Sequence, residues 1–272
     1  MDQAKLIENM GQLQAPPRAA GAPSGWPAVL ALLRVGLVLA VWQAIVMIGQ
    51  YQTVILPAPE RVAREFVLAL TMGTLLYNLQ TSRIEIVLGL VLGVGAAAAL
   101  GYLLAHWEPV ERFLAPYLVA SQATPAVAIA PLLYIWFGAG LTTKVLVCAL
   151  IVFFPVLINV VVGVRSVEPD LRDLMRTLRA TRWQTFVKLE LPAALPVMFG
   201  GLKIGATLAV IGAIVGELQG GEGRGLWFYT NYGLTHYDTP QVFVGVITMV
   251  LVAMTLYGGV TAVEKRMLKW RN

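Results

Sequence analysis

Charge is scarce in this sequence. Asp, Glu, Lys and Arg make up 13% of its 272 residues, about half the share usual in soluble domains. Apolar types reach 58%, and the mean hydropathy is +0.72. A water-soluble globule of this length cannot hide so much apolar surface, which leaves a membrane protein. Cysteine occurs once, at Cys148, which excludes a disulfide framework and a cysteine-built metal centre. The two histidines, His106 and His236, have no spacing suited to a ligand pair. A phosphate-binding loop ending in Gly-Lys-Ser/Thr is absent, and the glycine-rich run at 216–225 carries no such ending. There is no Ser/His/Asp set and no zinc-protease signature. The net charge of +5 does not mark a nucleic-acid binder, because the cations sit in short stretches between apolar runs rather than on one basic face.

Long apolar runs are what the chain does have. A helix crosses the hydrocarbon core in about 20 apolar residues. Six windows qualify: Leu30–Ile48, Ile84–Ala105, Leu114–Phe137, Val145–Val164, Val197–Val215 and Val242–Val263. Of the 20 basic and 15 acidic residues, only Arg34, Glu85 and Lys203 fall inside them, as expected where buried charge is penalised. The predicted fold is an all-α membrane protein of six transmembrane helices. Residues 1–29 read as a flexible cytoplasmic tail, 30–263 as the membrane domain, and 264–272 as a second cytoplasmic tail. With the N-terminus inside, fourteen Lys and Arg face the cytoplasm and five, including Lys144, face outside. The bias places both termini in the cytoplasm.

Prolines at 116, 125 and 131 in the third window and at 155 in the fourth predict bent helices that line something. Gly89, Gly93, Ala97 and Gly101 form a small-residue stripe, as do Gly201, Gly205, Gly212 and Gly216. Such stripes let helices approach closely.

The segment between the fourth and fifth spans, 165–196, carries the strongest pattern. Pro169 suits a first helical position and Asp170 the first turn. Leu171, Leu174, Met175 and Leu178 then form one apolar face, and the periodicity breaks at Arg179-Ala180. Thr181 with Gln184 spells a capping box that starts a second short helix, whose apolar face holds Trp183, Phe186 and Val187. Leu191-Pro192 is expected to end it, and Pro196 to open the next span. Aromatic side chains flanked by Arg on the cytoplasmic side suggest a docking surface for another protein. The competing reading is an interfacial helix resting on anionic lipid.

At this segment the chain resembles the transmembrane subunit of binding-protein-dependent ABC importers. That family carries Glu-Ala-Ala, a Gly four residues on, and a downstream aliphatic-x-Leu-Pro. The matching positions here are Asp173-Leu174-Met175, Arg179, Leu189 and Leu191-Pro192. The resemblance spans most of the chain and is nearest the branch that takes sulfonates, taurine, nitrate and vitamin precursors. It includes the stretches Leu56-Pro57-Ala58-Pro59, Thr124–Leu132 with Trp136-Phe137-Gly138, Phe153-Phe154-Pro155, Leu191–Pro196 and Glu264-Lys265-Arg266. Three departures from the pattern stand out: Asp173-Leu174-Met175 for Glu-Ala-Ala, Arg179 for the glycine, and Glu85 for a common Arg.

The resemblance implies a coupling helix that sits in a groove of a cytoplasmic ABC ATPase, present in two copies. It also implies a second permease copy, in a homodimer, and a periplasmic or lipid-anchored substrate-binding protein. ATP and Mg belong to the ATPase; this chain binds no cofactor or metal and catalyses nothing itself. The location implied is the bacterial inner membrane. Asp173, Arg176, Arg179, Ala180, Trp183, Phe186, Leu191 and Pro192 are the expected coupling residues. Gln122, Tyr134, Asn159, Lys203, Thr207 and Glu217 are polar groups expected along the substrate path, with Lys203 near the cytoplasmic end of its span and Glu217 at the outer rim. Arg83 and Glu85 read as rim residues. The run His236–Pro240 with Phe243 and Leu256-Tyr257-Gly258 resembles members linked to pyrimidine or flavin precursors. An ion-coupled secondary transporter is the alternative function. It would need a buried ionisable relay and often inverted repeats, and the spans offer only Glu85 and Lys203, both near ends.

Overall fold

Apolar helices dictate the architecture. In a computed structural model, residues 26–107, 109–113, 116, 126–219 and 223–269 are described, and all regular structure among them is helical. The chain divides into two compact units, 1–50 and 51–272. The first contains α1, Trp26–Gly49. The second contains α2 (Pro59–Thr71), α3 (Thr74–His106), α4 (Ala126–Phe137), α5 (Leu141–Arg165), α6 (Pro169–Thr177), α7 (Arg182–Gln219), α8 (Leu226–Thr235) and α9 (Thr239–Met267). Residues 1–25, Gln122 and Thr124-Pro125 lie outside the described residues, so the expectations placed on them do too.

Four helices, α3, α5, α7 and α9, are long and apolar enough to cross a membrane. The first expected window falls within α1, and the third is described only over α4. Two boundaries differ from the sequence expectation. α3 starts at Thr74, ten residues before Ile84, because Gly73 with φ 77 reverses the chain there. The second tail, expected from Glu264, is helical as far as Met267.

Within the second unit α5 is sandwiched between α3 and α7. The two glycine stripes make this contact. A Cβ built on Gly93 of α3 would lie 2.7 Å from the Ala149 carbonyl oxygen, and one on Gly212 of α7 2.7 Å from the Cys148 Cα. Neither leaves room for a side chain, so the helices approach backbone to backbone, where dispersion contacts are dense. Val152, Val156, Leu157 and Val160 of α5 fill the core beside Ile86, Ala97, Ala209 and Ala213. Helix α9 packs on α7 and α8, and α2 lies against α9.

Pro192 and Pro196 do not break α7 as the sequence suggested. After one turn, Arg182–Thr185, the helix widens into a π-turn over Phe186–Glu190 and resumes at Leu191. The Leu191 N–H donates to the Phe186 carbonyl, five residues back. The wide turn absorbs the missing proline donor at the next residue, so one continuous element joins the 182–190 segment to the long apolar helix.

Candidate functional site

Helix α6 and the start of α7 form the segment over 169–192. Pro169 opens α6 and Asp170 lies in its first turn. Thr181 caps α7 with the predicted box: the Gln184 N–H donates to Thr181 Oγ1 at 3.2 Å, and the Thr181 N–H to Gln184 Oε1 at 2.8 Å. Between them the chain turns at Arg179, whose φ is 53. The Arg179 N–H donates to the Arg176 carbonyl at 2.9 Å and the Ala180 N–H to the Met175 carbonyl at 3.0 Å. This is a Schellman ending with arginine in the left-handed place that glycine prefers. The bend expected of the family glycine is therefore kept, at a strain of about 1 kcal/mol. Arg179→Gly is expected to raise stability by about that amount, seen as a higher midpoint in thermal unfolding of the solubilised protein. An unchanged midpoint would mean that the arginine recovers the strain elsewhere.

Of the apolar face of α6, Leu171, Leu174 and Leu178 are exposed and Met175 is partly buried. A polar tie does the anchoring: Arg172 donates to the Val164 carbonyl at 2.8 Å. Asp173 and Arg176 pair with each other at 2.8 Å on the exposed face. Trp183 is 71% exposed. Phe186 is only partly exposed, with its ring edge-on to Tyr102 of α3 at 5.0 Å and Trp183 beside it at 5.6 Å. Leu191 and Pro192 continue α7 behind them. An apolar cavity of about 360 Å³ lies beneath, lined by Tyr102, Val164, Phe186, Leu191 and Met198 among others.

The C-terminal end of α5 is tied to the end of α3 and the chain just beyond it here too. Arg165 forms a two-pronged pair with Glu111 and also donates to the Leu104 carbonyl at 3.2 Å. That hydrogen-bonded guanidinium holds the Glu111 carboxyl below the usual carboxylate range.

The described polar residues expected along a substrate path each have their own setting. Asn159 donates to the Pro155 carbonyl of its own helix at 2.8 Å and packs against Gly201. Thr207 bonds back to Lys203 and Ile204 carbonyls. Lys203 does not reach for water alone: its Nζ lies 2.5 Å from Glu264 and 5.9 Å from the Tyr257 ring centre. Tyr134 is partly exposed on α4.

Glu217, expected at the outer rim, is fully buried near the end of α7. It accepts from the Ser82 hydroxyl and, at 2.6 Å, from the Trp227 N–H. Gly225, at φ 122, passes so close that a Cβ there would overlap the carboxylate. Glu85 and Lys144, read from sequence as a rim acid and an outside loop cation, are both fully buried and paired at 2.9 Å. The position of Glu85 inside one window and of Lys144 just before another showed neither the burial nor the partner. Sequence reasoning assigned no role to Glu190, His106 or Tyr102, which meet beside the π-turn. Glu190 is 5% exposed and faces both of the others. The one available signal was an acid between the two leucines of Leu189-x-Leu191-Pro192.

Residues 89–269 match the family described as binding-protein-dependent transport system inner membrane component. The chain belongs to this family. The riboflavin transport system permease protein of Chloroflexus aurantiacus is 43% identical over 245 residues, covering 90% of this chain and 91% of that one. The formylaminopyrimidine transport permease protein of Halalkalibacterium halodurans is 33% identical, covering 87% and 93%. The putative aliphatic sulfonates transport permease protein of Bacillus subtilis is also 33% identical, covering 91% and 89%. The methionine ABC transporter MetNI, in an inward-facing conformation, superposes with a TM-score of 0.63 at 17% identity, covering 72% of this chain and 97% of the other. The permease is therefore a multi-pass inner-membrane subunit of an ATP-driven ABC importer, working with a separate ATPase and a substrate-binding protein.

Proposed function

We propose that the permease forms the import path for a flavin or a related planar heteroaromatic vitamin precursor. It does so as a homodimer with two ATPases docked on its two cytoplasmic segments. Six spans, with both termini in the cytoplasm and residues 30–263 as one membrane domain, fit the distribution of Lys and Arg. The flavin reading is supported by the relative from Chloroflexus aurantiacus, which is named for riboflavin transport.

The observation that carries the coupling role is the exposed Trp183, mounted on a capped helix start and backed by Phe186. A large apolar ring on a rigid support, ringed by charge, has the make-up of an interface anchor. Trp183 and Phe186 sit in the ATPase groove, and Asp173, Arg176, Arg179 and Ala180 flank them. Leu191 and Pro192 join the grip to the span. Closure of the ATPase dimer on ATP then swings α5 and α7 between inward- and outward-open states. Gln122 and Tyr134 remain the candidate groups on the path. Asn159, Lys203, Thr207 and Glu217 can reach it only if helix movement releases them from their present partners.

The test is uptake of labelled riboflavin into lipid vesicles holding the permease with its ATPase and binding protein. Uptake is expected to require ATP and to stop with vanadate. Uptake that continues without the ATPase, driven by an ion gradient, would establish a secondary transporter instead. ATP-dependent import of a sulfonate with no flavin import would overturn the substrate class alone.

A further inference from the structure

The π-turn Phe186–Glu190 joins the coupling helix to the span. A π-turn is a weak place in a helix, because its hydrogen bonds are poorer and its backbone wider. Force applied at Trp183 would be lost there unless something held the turn. One residue of the turn, Glu190, is buried, and its carboxylate points at α3. The Tyr102 hydroxyl donates to Glu190 Oε2 at 3.3 Å, and His106 Nε2 lies 2.9 Å from Oε1. The other ring nitrogen, Nδ1, lies 3.0 Å from the Tyr102 carbonyl, which can only accept, so the imidazole is oriented by its own helix. The Tyr102 and His106 rings lie 4.4 Å apart, and Phe186 meets Tyr102 edge-on. Both oxygens of the buried acid therefore end on one helix, α3, across a separation of more than eighty residues in sequence.

We infer that Glu190 is a positioning residue for energy transfer: it fastens the π-turn to α3, so that α3 and α7 answer the ATPase together. Without it the turn would flex and α7 alone would feel the push. The inference rests on the 169–192 segment being the ATPase grip and adds a second helix to what that grip moves. The geometry suits the task. Phe186 and Tyr102 supply an apolar contact that resists compression. The carboxylate with its two partners resists extension, since pulling it away would leave a buried charge without hydrogen bonds. The Arg165–Glu111 pair already ties α5 to the chain just beyond α3. Glu190 therefore completes a cross-linked inner end for the three core helices.

The experiment uses the complete importer in lipid vesicles, with riboflavin uptake and ATP hydrolysis read in the same sample. Spin labels at Leu103→Cys on α3 and Lys188→Cys in the π-turn of α7 report whether the two helices move together. In the parent protein the label separation is expected to stay constant between the nucleotide-free and ATP-vanadate states. With Glu190→Ala it is expected to change between those states. Hydrolysis should continue while solute moved per ATP falls about tenfold, the scale of losing a buried hydrogen-bond anchor. Glu190→Gln keeps an acceptor for Tyr102 and is expected to stay near the parent value. His106→Ala gives the same readout with the acid in place, should Glu190→Ala fail to insert. A constant separation with unchanged transport per ATP in Glu190→Ala overturns the inference. So does a parallel fall of uptake and hydrolysis at constant separation, which would mark a docking role. Import by the parent protein without ATPase is read before any variant is made, and it would overturn the proposed function rather than this inference.

Discussion

Trp183→Ala is expected to weaken the hold on the ATPase by about 30-fold, since truncating a central aromatic anchor costs about 2 kcal/mol or more. The magnitude follows from where the ring sits. At 71% exposure it contributes little to the stability of this chain, so the loss falls on association rather than folding. Its support is local and survives the change: the Thr181–Gln184 box, the left-handed Arg179 and the Arg172 tie to Val164 do not involve the indole. Titration of the ATPase against the solubilised permease would measure the change, and uptake should fall with it. Phe186→Ala should behave differently. Part of that ring packs on Tyr102, so some of its cost should appear as lowered thermal stability. Unaltered ATPase affinity in Trp183→Ala would remove the residue from the interface.

Lys144→Met is expected to destabilise the permease by about 3–5 kcal/mol, because it strands the buried Glu85 carboxylate. The ammonium is fully enclosed among α3, α5 and α7, 2.9 Å from Glu85. The double change Glu85→Leu with Lys144→Met should recover part of the loss. It removes both charges of the pair, while Glu217, which also faces Glu85 and Lys144, keeps its Ser82 and Trp227 donors. Thermal unfolding in detergent of the two single variants and the double variant gives the comparison. If Lys144→Met alone unfolds at the parent temperature, the pair is not holding these helices.

Those two sites mark the range of what could be read from the sequence. The coupling segment was legible because its determinants are local. A proline at the first position, an i, i+3, i+4 stripe and a capping box lie within twenty residues, and each specifies its own geometry. The glycine stripes likewise predicted close helix contacts, as seen against Cys148 and Ala149. Lys144 was misplaced because a lone cation at the edge of an apolar run looks like a topology signal. Only its partner, 59 residues earlier, shows otherwise. Glu190 was passed over for the same reason, its partners lying on another helix. Pro192 was read as a terminator because proline usually is one, and the preceding π-turn has no sequence mark that the spacing rules detect. Glu217 was assigned to the rim by its distance from the span centre, whereas the return of the chain through Gly225 covers it.

The backbone-close packing around α5 has one practical consequence. The sole thiol of the chain, Cys148, is enclosed between Gly89 on one neighbour and Gly212 on the other, and its Sγ donates to the Ala209 carbonyl. No reagent can reach that sulfur while the three helices keep their present spacing. The protein thus carries a native reporter: the rate at which a small alkylating agent finds Cys148 measures how often the core parts during a transport cycle.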